Sequence, residues 1–211
     1  MIIIGVTGQT GSGKSTVSTI IKNNTGAVVI DADKIVRELM APGKEYYEEA
    51  LKIFGPSILY NRKEANKWKI NNSKFARVLF DDKEKREKFN KITYKYVGKR
   101  TKEIILENKD KKFAVLDFPL LYEGGFNKIC NCVIGVVADE ETKIARLDER
   151  SKLTREEALK RLNLQMPEDE LKEKATYIVD NSGNVKYIGL VKDVVRLVHK
   201  IEKDEEEKKK A

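Results

Sequence analysis

Five short segments of the chain are almost continuously apolar and rich in β-branched residues. They lie at residues 2–7, 27–30, 113–116, 132–137 and 177–179. Their apolar residues follow one another without the alternation of a half-exposed strand, and this is typical of strands buried on both faces of a parallel sheet. The pattern therefore predicts five parallel strands covered by helices.

Helical periodicity fills the intervals between these strands. It is clearest at 15–22, at 83–107 and in the last helix, where Val191, Val194 and Val198 form one stripe. Thr154 followed three residues later by Glu157 is a capping-box start, which predicts another helix there. Strands that alternate with helices predict an α/β fold with a mostly parallel sheet.

The interval between the second and third strands is too long for a loop, and its pattern predicts helices. We expect one domain of 211 residues with a core at 1–40 and 112–200, a helical insert at about 41–111 and a lid at about 146–166. The charged tail at 201–211 is expected to be a fraying, solvated helix end, with an interaction tail as the alternative.

The first strand leads into a phosphate-binding motif. Gly8-Gln9-Thr10-Gly11-Ser12-Gly13-Lys14-Ser15 fits the pattern G-x-x-x-x-G-K-[ST], and a helical pattern follows it. Glycines let successive N–H groups curl around a phosphate, and the helix N-terminus adds its positive end. Lys14 is expected to reach the β- and γ-phosphates, and Ser15 to present its hydroxyl to Mg²⁺. A nucleoside triphosphate with Mg²⁺ follows from this motif.

The rest of the sequence favours a kinase among proteins with this loop. No N-K-x-D sequence for reading guanine is present, and the chain is short for a motor ATPase. The second strand ends in Asp31-Ala32-Asp33. A carboxylate there can accept the proton of an attacking hydroxyl, and Asp33 is the candidate for this role, while an aspartate at a strand end also often caps a helix.

The distribution of charge and the absence of targeting signals limit the kinds of partner and the location that are expected. Residues 44–112 hold 20 basic and 11 acidic side chains, so the whole surplus of +8 lies in the predicted insert. Such a segment attracts an anionic partner, although many of its lysines are expected simply to be solvated. No leader or membrane-spanning run is visible, which predicts a cytoplasmic protein without a membrane partner. No RNA or zinc-finger signature supports a nucleic-acid partner.

Three ordered segments resemble the dephospho-coenzyme A kinase family. They are the phosphate-binding loop, Asp31-Ala32-Asp33-Lys34-Ile35-Val36-Arg37, and Asp117-Phe118-Pro119-Leu120-Leu121-Tyr122-Glu123. Arg150, Leu153, Arg161 and Gln165 resemble its lid, and Asp180-Asn181-Ser182-Gly183 resembles the turn after its last strand. The resemblance implies a three-layer P-loop NTPase fold with a five-stranded parallel sheet, an inserted helical substrate lobe and a helical lid.

The resemblance also implies an activity and a set of site residues. ATP would phosphorylate the ribose 3′-hydroxyl of dephospho-CoA, giving CoA and ADP in the last step of coenzyme A synthesis. The catalytic residues would be Asp33, Lys14 and Arg150, with Arg146 as a further lid arginine. ATP would be bound by Gly11, Ser12, Gly13, Lys14, Ser15, Thr16, Arg150, Asn181 and Gly183. The acceptor would be bound by Asp33, Arg37, Pro119 and Leu120, and Mg²⁺ by Ser15 and Asp117.

Some residues depart from the family pattern or invite other interpretations. Gln9-Thr10 replaces the usual Gly-Ile, and Ile92-Thr93-Tyr94-Lys95-Tyr96 falls where the family typically has a His-Pro pair, with Tyr94-Lys95 as the departure. Trp68 is a candidate for stacking on an adenine or simply an aromatic of the insert. The alternatives are another small-metabolite, nucleoside or nucleotide kinase, and a nucleotide-switched protein that binds nucleic acid with its basic insert. A monomer or weak homo-oligomer is expected.

Overall fold

A twisted sheet of five parallel strands organises the larger of two compact units. The computed structural model describes residues 1–59, 70–183 and 185–210, apart from the side chains of residues 72, 73 and 80. The strands are β1 Ile2–Thr7, β2 Val28–Asp31, β3 Phe113–Asp117, β4 Cys132–Val137 and β5 Tyr177–Asp180. Their order is β2-β3-β1-β4-β5, and each pair is parallel. This confirms the predicted sheet.

The sheet unit comprises residues 1–31 and the chain from Ile105 onward. Its helices are α1 Lys14–Thr25, α6 Glu140–Ser151, α7 Arg155–Leu162, α8 Glu168–Lys174 and α9 Tyr187–Lys208. Helices α1 and α9 share one core with the sheet, in which Val17, Ile21 and Val194 are fully buried against Ile4 and Ile134. Burial of each such side chain contributes about 1.5–3 kcal/mol to the stability of the fold. This packing places the start of α1 at the carboxyl edge of the sheet.

The described part of the second unit, residues 32–104, consists mainly of helices. It contains α2 Ala32–Leu39, α3 Glu45–Phe54, α4 Asn72–Asp81 and most of α5 Lys83–Glu107. The Tyr46 hydroxyl lies 2.8 Å from Thr93 Oγ1, and Thr93 in turn donates to the Phe89 carbonyl at 2.8 Å. The threonine that stands near the family's His-Pro pair therefore joins α3 to α5. Trp68 lies outside the described residues.

The charged C-terminal segment is the end of a long helix, and two of its side chains are buried. Helix α9 continues to Lys208, with Ile201 1% and Glu205 7% exposed. Asn131 Nδ2 donates to Glu205 Oε2 at 2.7 Å, and the Ile3 N–H donates to Asn131 Oδ1 at 2.8 Å. The helix end is thus fastened to the amino edge of the sheet. Within the three described ranges, no helix has both the length and the apolar character that a membrane span requires.

Candidate active site

The phosphate-binding loop connects β1 to α1 and depends on glycine at three positions. Gly8, Gly11 and Gly13 have φ angles of 150°, 82° and 93°, which L side chains rarely adopt. Space is lacking as well, because a Cβ at Gly8 would overlap the Val136 carbonyl and one at Gly13 would overlap the Asn181 amide. These glycines therefore serve both the curl of the loop and its close packing on β4 and the turn after β5.

Helix α1 begins with backbone groups available to an anion. Gly13 is its N-cap, and no side chain caps the first turn. The first N–H groups of a helix have no acceptor within the helix, and the macrodipole places partial positive charge there. Ser15 and Thr16 are exposed in this first turn. The end of the helix is therefore suited to a phosphate group.

Asp117 is a buried carboxylate at the carboxyl end of β3. The strand register places it beside Val6 of β1 and Asp31 of β2, and it is 6% exposed. Burial raises its pKa, the positive charge of Lys14 acts in the opposite direction, and so do the hydroxyls of Ser15 and Ser18. This combination points the carboxylate toward the start of α1.

The donor set at this place fits Mg²⁺. A serine hydroxyl and a carboxylate are hard oxygen ligands, and Mg²⁺ commonly uses only one or two protein oxygens together with waters and phosphate oxygens. Accordingly, the described residues contain no group of three or more acidic, histidine or cysteine side chains that could hold a metal on its own. Ser15 and Asp117 would hold the ion jointly with a bound triphosphate.

Arg146 and Asn181 contact the loop from the other side. Arg146 Nη1 donates to the Gly11 carbonyl at 3.1 Å and to that of Ser12 at 3.4 Å. Its Nη2 donates to the Asn181 carbonyl at 2.9 Å, and Asn181 Nδ2 donates to the Ser12 carbonyl at 2.8 Å. Arg146, expected to be a further lid arginine, binds backbone carbonyls of the loop and of Asn181 in this structure.

The turn after β5 is fixed by Asp139, the N-cap of α6. The Gly183 N–H donates to Thr142 Oγ1 at 2.8 Å and to Asp139 Oδ2 at 3.2 Å. The Thr142 hydroxyl and N–H, together with this turn, lower the pKa of Asp139 to about 2. Asn181 therefore lies beside the loop, and Gly183 is held in the same turn by α6.

The other expected site residues lie at three different places. Arg150 is exposed in the last turn of α6 and makes no hydrogen bond or ion pair with the described part of the chain. Pro119 and Leu120 form a half-buried turn after β3, where Thr7 Oγ1 donates to the Pro119 carbonyl at 3.4 Å. Asp33 and Arg37 are exposed, one helical turn apart on α2 of the helical unit.

Three side chains make contacts at the loop that the sequence does not predict, those of Gln9 in the loop itself, Lys143 and Gln165. Gln9 occupies a variable loop position, and Lys143 Nζ donates to its Oε1 at 2.8 Å. Gln165, noted only as part of the lid pattern, accepts from the Thr10 N–H at 2.7 Å. Nothing in the sequence pattern indicates the role of Lys143. At Gln9 there is a signal, because a long polar side chain occupies a loop position at which the motif allows any residue.

A glycine loop between a parallel strand and a helix, with its lysine near a buried aspartate at a neighbouring strand end, is the arrangement of a P-loop protein that binds a nucleoside triphosphate. A family model described as dephospho-CoA kinase matches residues 2–187. The chain belongs to the dephospho-CoA kinase family.

Individual relatives agree with this assignment. A curated dephospho-CoA kinase of Listeria monocytogenes is 37% identical over 188 residues, covering 86% of this chain and 89% of that protein. The structure of a dephospho-CoA kinase from Campylobacter jejuni is similar with a TM-score of 0.64 at 29% identity, covering 96% of this chain and 98% of the other. A shikimate kinase from Bacteroides thetaiotaomicron shares the fold, with a TM-score of 0.55, 13% identity and coverage of 95% and 98%.

Proposed function

We propose that this chain transfers the γ-phosphoryl group of ATP to the ribose 3′-hydroxyl of dephospho-CoA, releasing CoA and ADP. The observation that carries the reaction type is the phosphate-binding loop, with Lys14 and the buried Asp117 at the start of α1. The acceptor is inferred from membership of the family, whose model matches residues 2–187.

Each residue around the loop has a proposed role in binding ATP. The loop N–H groups and the α1 terminus bind the phosphates, and Lys14 neutralises charge that develops on the transferred group. Ser15 and Asp117 hold Mg²⁺, which when bound draws negative charge from the phosphate oxygens. Asn181 and Gly183 lie near the adenine. Thr16 completes the first turn.

Arg150 is proposed to close over the phosphates. It lies at the end of α6, is exposed and has no hydrogen-bond or ion-pair partner among the described residues. A guanidinium is planar and permanently charged, so it can bind phosphate oxygens in two places at once. Closure of the lid that it belongs to would exclude water from the transfer.

The acceptor side of the reaction is proposed to use α2. Asp33 accepts the proton of the 3′-hydroxyl while that oxygen attacks the γ-phosphorus, and the bond from phosphorus to the leaving ADP oxygen breaks. Arg37 binds phosphate of dephospho-CoA, and Pro119 and Leu120 contact the acceptor. The basic surplus of residues 44–112 attracts this anionic substrate.

The test is an ADP-release assay with ATP, Mg²⁺ and dephospho-CoA, with CoA identified by mass. We expect CoA to form rapidly, with no comparable transfer to adenosine or AMP. Turnover with one of those acceptors instead would assign the chain to another kinase specificity. ATP turnover that depends on added DNA or RNA and falls with salt would replace the proposal with the nucleic-acid alternative.

We also propose a cytoplasmic enzyme that works as a monomer or weak homo-oligomer. The proposed location rests on its substrates, which are multiply charged and do not cross membranes unaided, and the oligomeric state is carried over from the sequence as an expectation. Cell fractionation and sedimentation at working concentration would test both statements.

A further inference from the structure

The side chain of Gln9 connects the phosphate-binding loop to the end of α7. Its Nε2 donates to the Met166 carbonyl at 3.2 Å and to that of Leu162 at 3.4 Å. Its Oε1 accepts from Lys143 Nζ at 2.8 Å. One amide thus joins the loop, α6 and the chain between α7 and α8.

Lys143 makes this contact energetically significant. It is 6% exposed and is the only lysine or arginine classed as buried in the described ranges. Its ammonium is bound by Gln9 Oε1 and by Glu168 Oε2 at 3.3 Å. A buried charge is costly unless it is hydrogen-bonded, so loss of the Gln9 amide would leave Lys143 with one fewer partner.

The backbone of Gln9 serves the loop itself. Its carbonyl accepts from Lys14 Nζ at 3.2 Å and from the Ser12 N–H at 3.1 Å. The next residue, Thr10, donates its N–H to Gln165 Oε1 at 2.7 Å. Gln9 therefore makes two kinds of contact. Its carbonyl binds the lysine of the loop, and its side chain fastens the 162–168 segment, which runs from the end of α7 into α8.

We propose that Gln9 is a positioning residue for the phosphoryl transfer proposed above, on which this inference rests. It holds the 162–168 segment against the loop, so that water is kept from the γ-phosphate until the acceptor hydroxyl is in place. When the segment is released, the oxygen of a water molecule attacks the γ-phosphorus instead, and ADP and inorganic phosphate form.

The test compares CoA formation with ATP hydrolysis measured in the absence of acceptor. Gln9→Met removes the amide while retaining side-chain length. We expect the ratio of hydrolysis to transfer to rise about tenfold, the effect of roughly one lost hydrogen bond to a charged partner. Gln9→Glu still accepts from Lys143 but cannot donate to the two carbonyls when ionised, and we expect it to raise the ratio as well.

A matched control separates positioning from simple loss of folded protein. Asn163→Met removes an exposed amide from the same stretch of chain, and this side chain makes no hydrogen bond with the described residues. It should leave the ratio unchanged. Unfolding lowers transfer and hydrolysis together, so a ratio that stays at the wild-type value in Gln9→Met or Gln9→Glu would overturn the proposal.

Hydrogen exchange of the substrate-free protein keeps this inference separate from the proposed activity. Amides of the 162–168 segment should exchange about tenfold faster in Gln9→Met than in the wild type. A wild type that makes no CoA would refute the proposed function, whereas equal exchange in the two proteins would refute the role of Gln9.

Discussion

The Arg146 guanidinium and the Asn181 side-chain amide converge on one acceptor, the backbone carbonyl of Ser12. The distances are 3.4 Å from Nη1 and 2.8 Å from Nδ2, and Arg146 also bonds the carbonyl of Asn181. The carbonyl of a trans peptide points away from the N–H that follows it, so this contact fixes the direction of the Gly13 N–H. Two distant elements thereby orient a donor of the phosphate-binding loop.

Replacing Arg146 should weaken ATP binding by loosening the loop. We expect Arg146→Met to raise the Kd for a non-hydrolysable ATP analogue about 10- to 100-fold, since losing charged hydrogen bonds costs about 1.5–3 kcal/mol. Arg146→Lys should not restore affinity, because the single nitrogen of an ammonium cannot replace the two separated nitrogens that donate to these three carbonyls. Calorimetric titration measures this, with the exposed Arg196→Met as the control. Unchanged affinity in Arg146→Met would show that the loop holds its form without this contact.

Replacing Asp33 tests the proposed base. Asp33→Asn is expected to lower phosphoryl transfer at least about a hundredfold while ATP still binds, because an amide cannot accept the hydroxyl proton. The matched control is Glu38→Gln, which neutralises another exposed carboxylate of α2. Single-turnover kinetics with dephospho-CoA give the rate of transfer. Near-normal turnover in Asp33→Asn would remove the assignment.

The strands and the loop could be predicted because their signals are local. A run such as Cys132–Val137 is buried on both faces and therefore apolar throughout, and the structure places β4 at those residues. The loop motif likewise needs only its own glycines and a following helix. The family assignment rests on similarly short segments, and the comparisons confirm it.

Other features could not be predicted because they depend on contacts between distant residues. Arg146 binds carbonyls 134 and 135 residues away, and no spacing rule separates this from a phosphate or ion-pair role. The burial of two side chains at the end of α9 is hidden from sequence reasoning for a different reason. Ile201 and Glu205 continue the stripe of Val194 and Val198, but the surrounding charges concealed it. The roles of the individual site residues stay predictions.

Asp117 is expected to reduce stability at neutral pH. Burial holds its pKa above the ordinary 3.8, so between those two pKa values the folded chain binds more protons than the unfolded chain. Stability therefore falls as pH rises through that window, and the cost is fully present above the raised pKa. Asp117→Asn should raise Tm at pH 7, and the gain should shrink as pH falls through the window, while phosphoryl transfer decreases. The exposed Asp110→Asn is the control, and a lower Tm in Asp117→Asn at pH 7 would contradict the expectation.

Asp139 should show the opposite dependence on pH. Its folded pKa of about 2 lies below the ordinary 3.8, mainly because the Thr142 hydroxyl and N–H bind its ionised form. The resulting stability is present above the ordinary pKa and is lost as pH falls through about 2. Asp139→Ala should lower Tm at pH 7, and its Tm should approach that of the wild type between about pH 4 and pH 2. The control is the exposed Asp193→Ala, whose Tm difference from the wild type should not change over this pH range. A Tm difference between Asp139→Ala and the wild type that is constant with pH would contradict the capping role.

Ile201 tests whether the charged C-terminal helix end is part of the core. It is 1% exposed in α9, whereas Ile188 on the same helix is 70% exposed. We expect Ile201→Ala to lower the free energy of unfolding by about 2–4 kcal/mol, because it removes buried methyl groups and leaves a cavity. Ile188→Ala should change it by less than about 0.5 kcal/mol. Urea unfolding followed by circular dichroism measures both variants. Equal and small losses would show that the helix end is solvated in solution, as the charge pattern alone suggests.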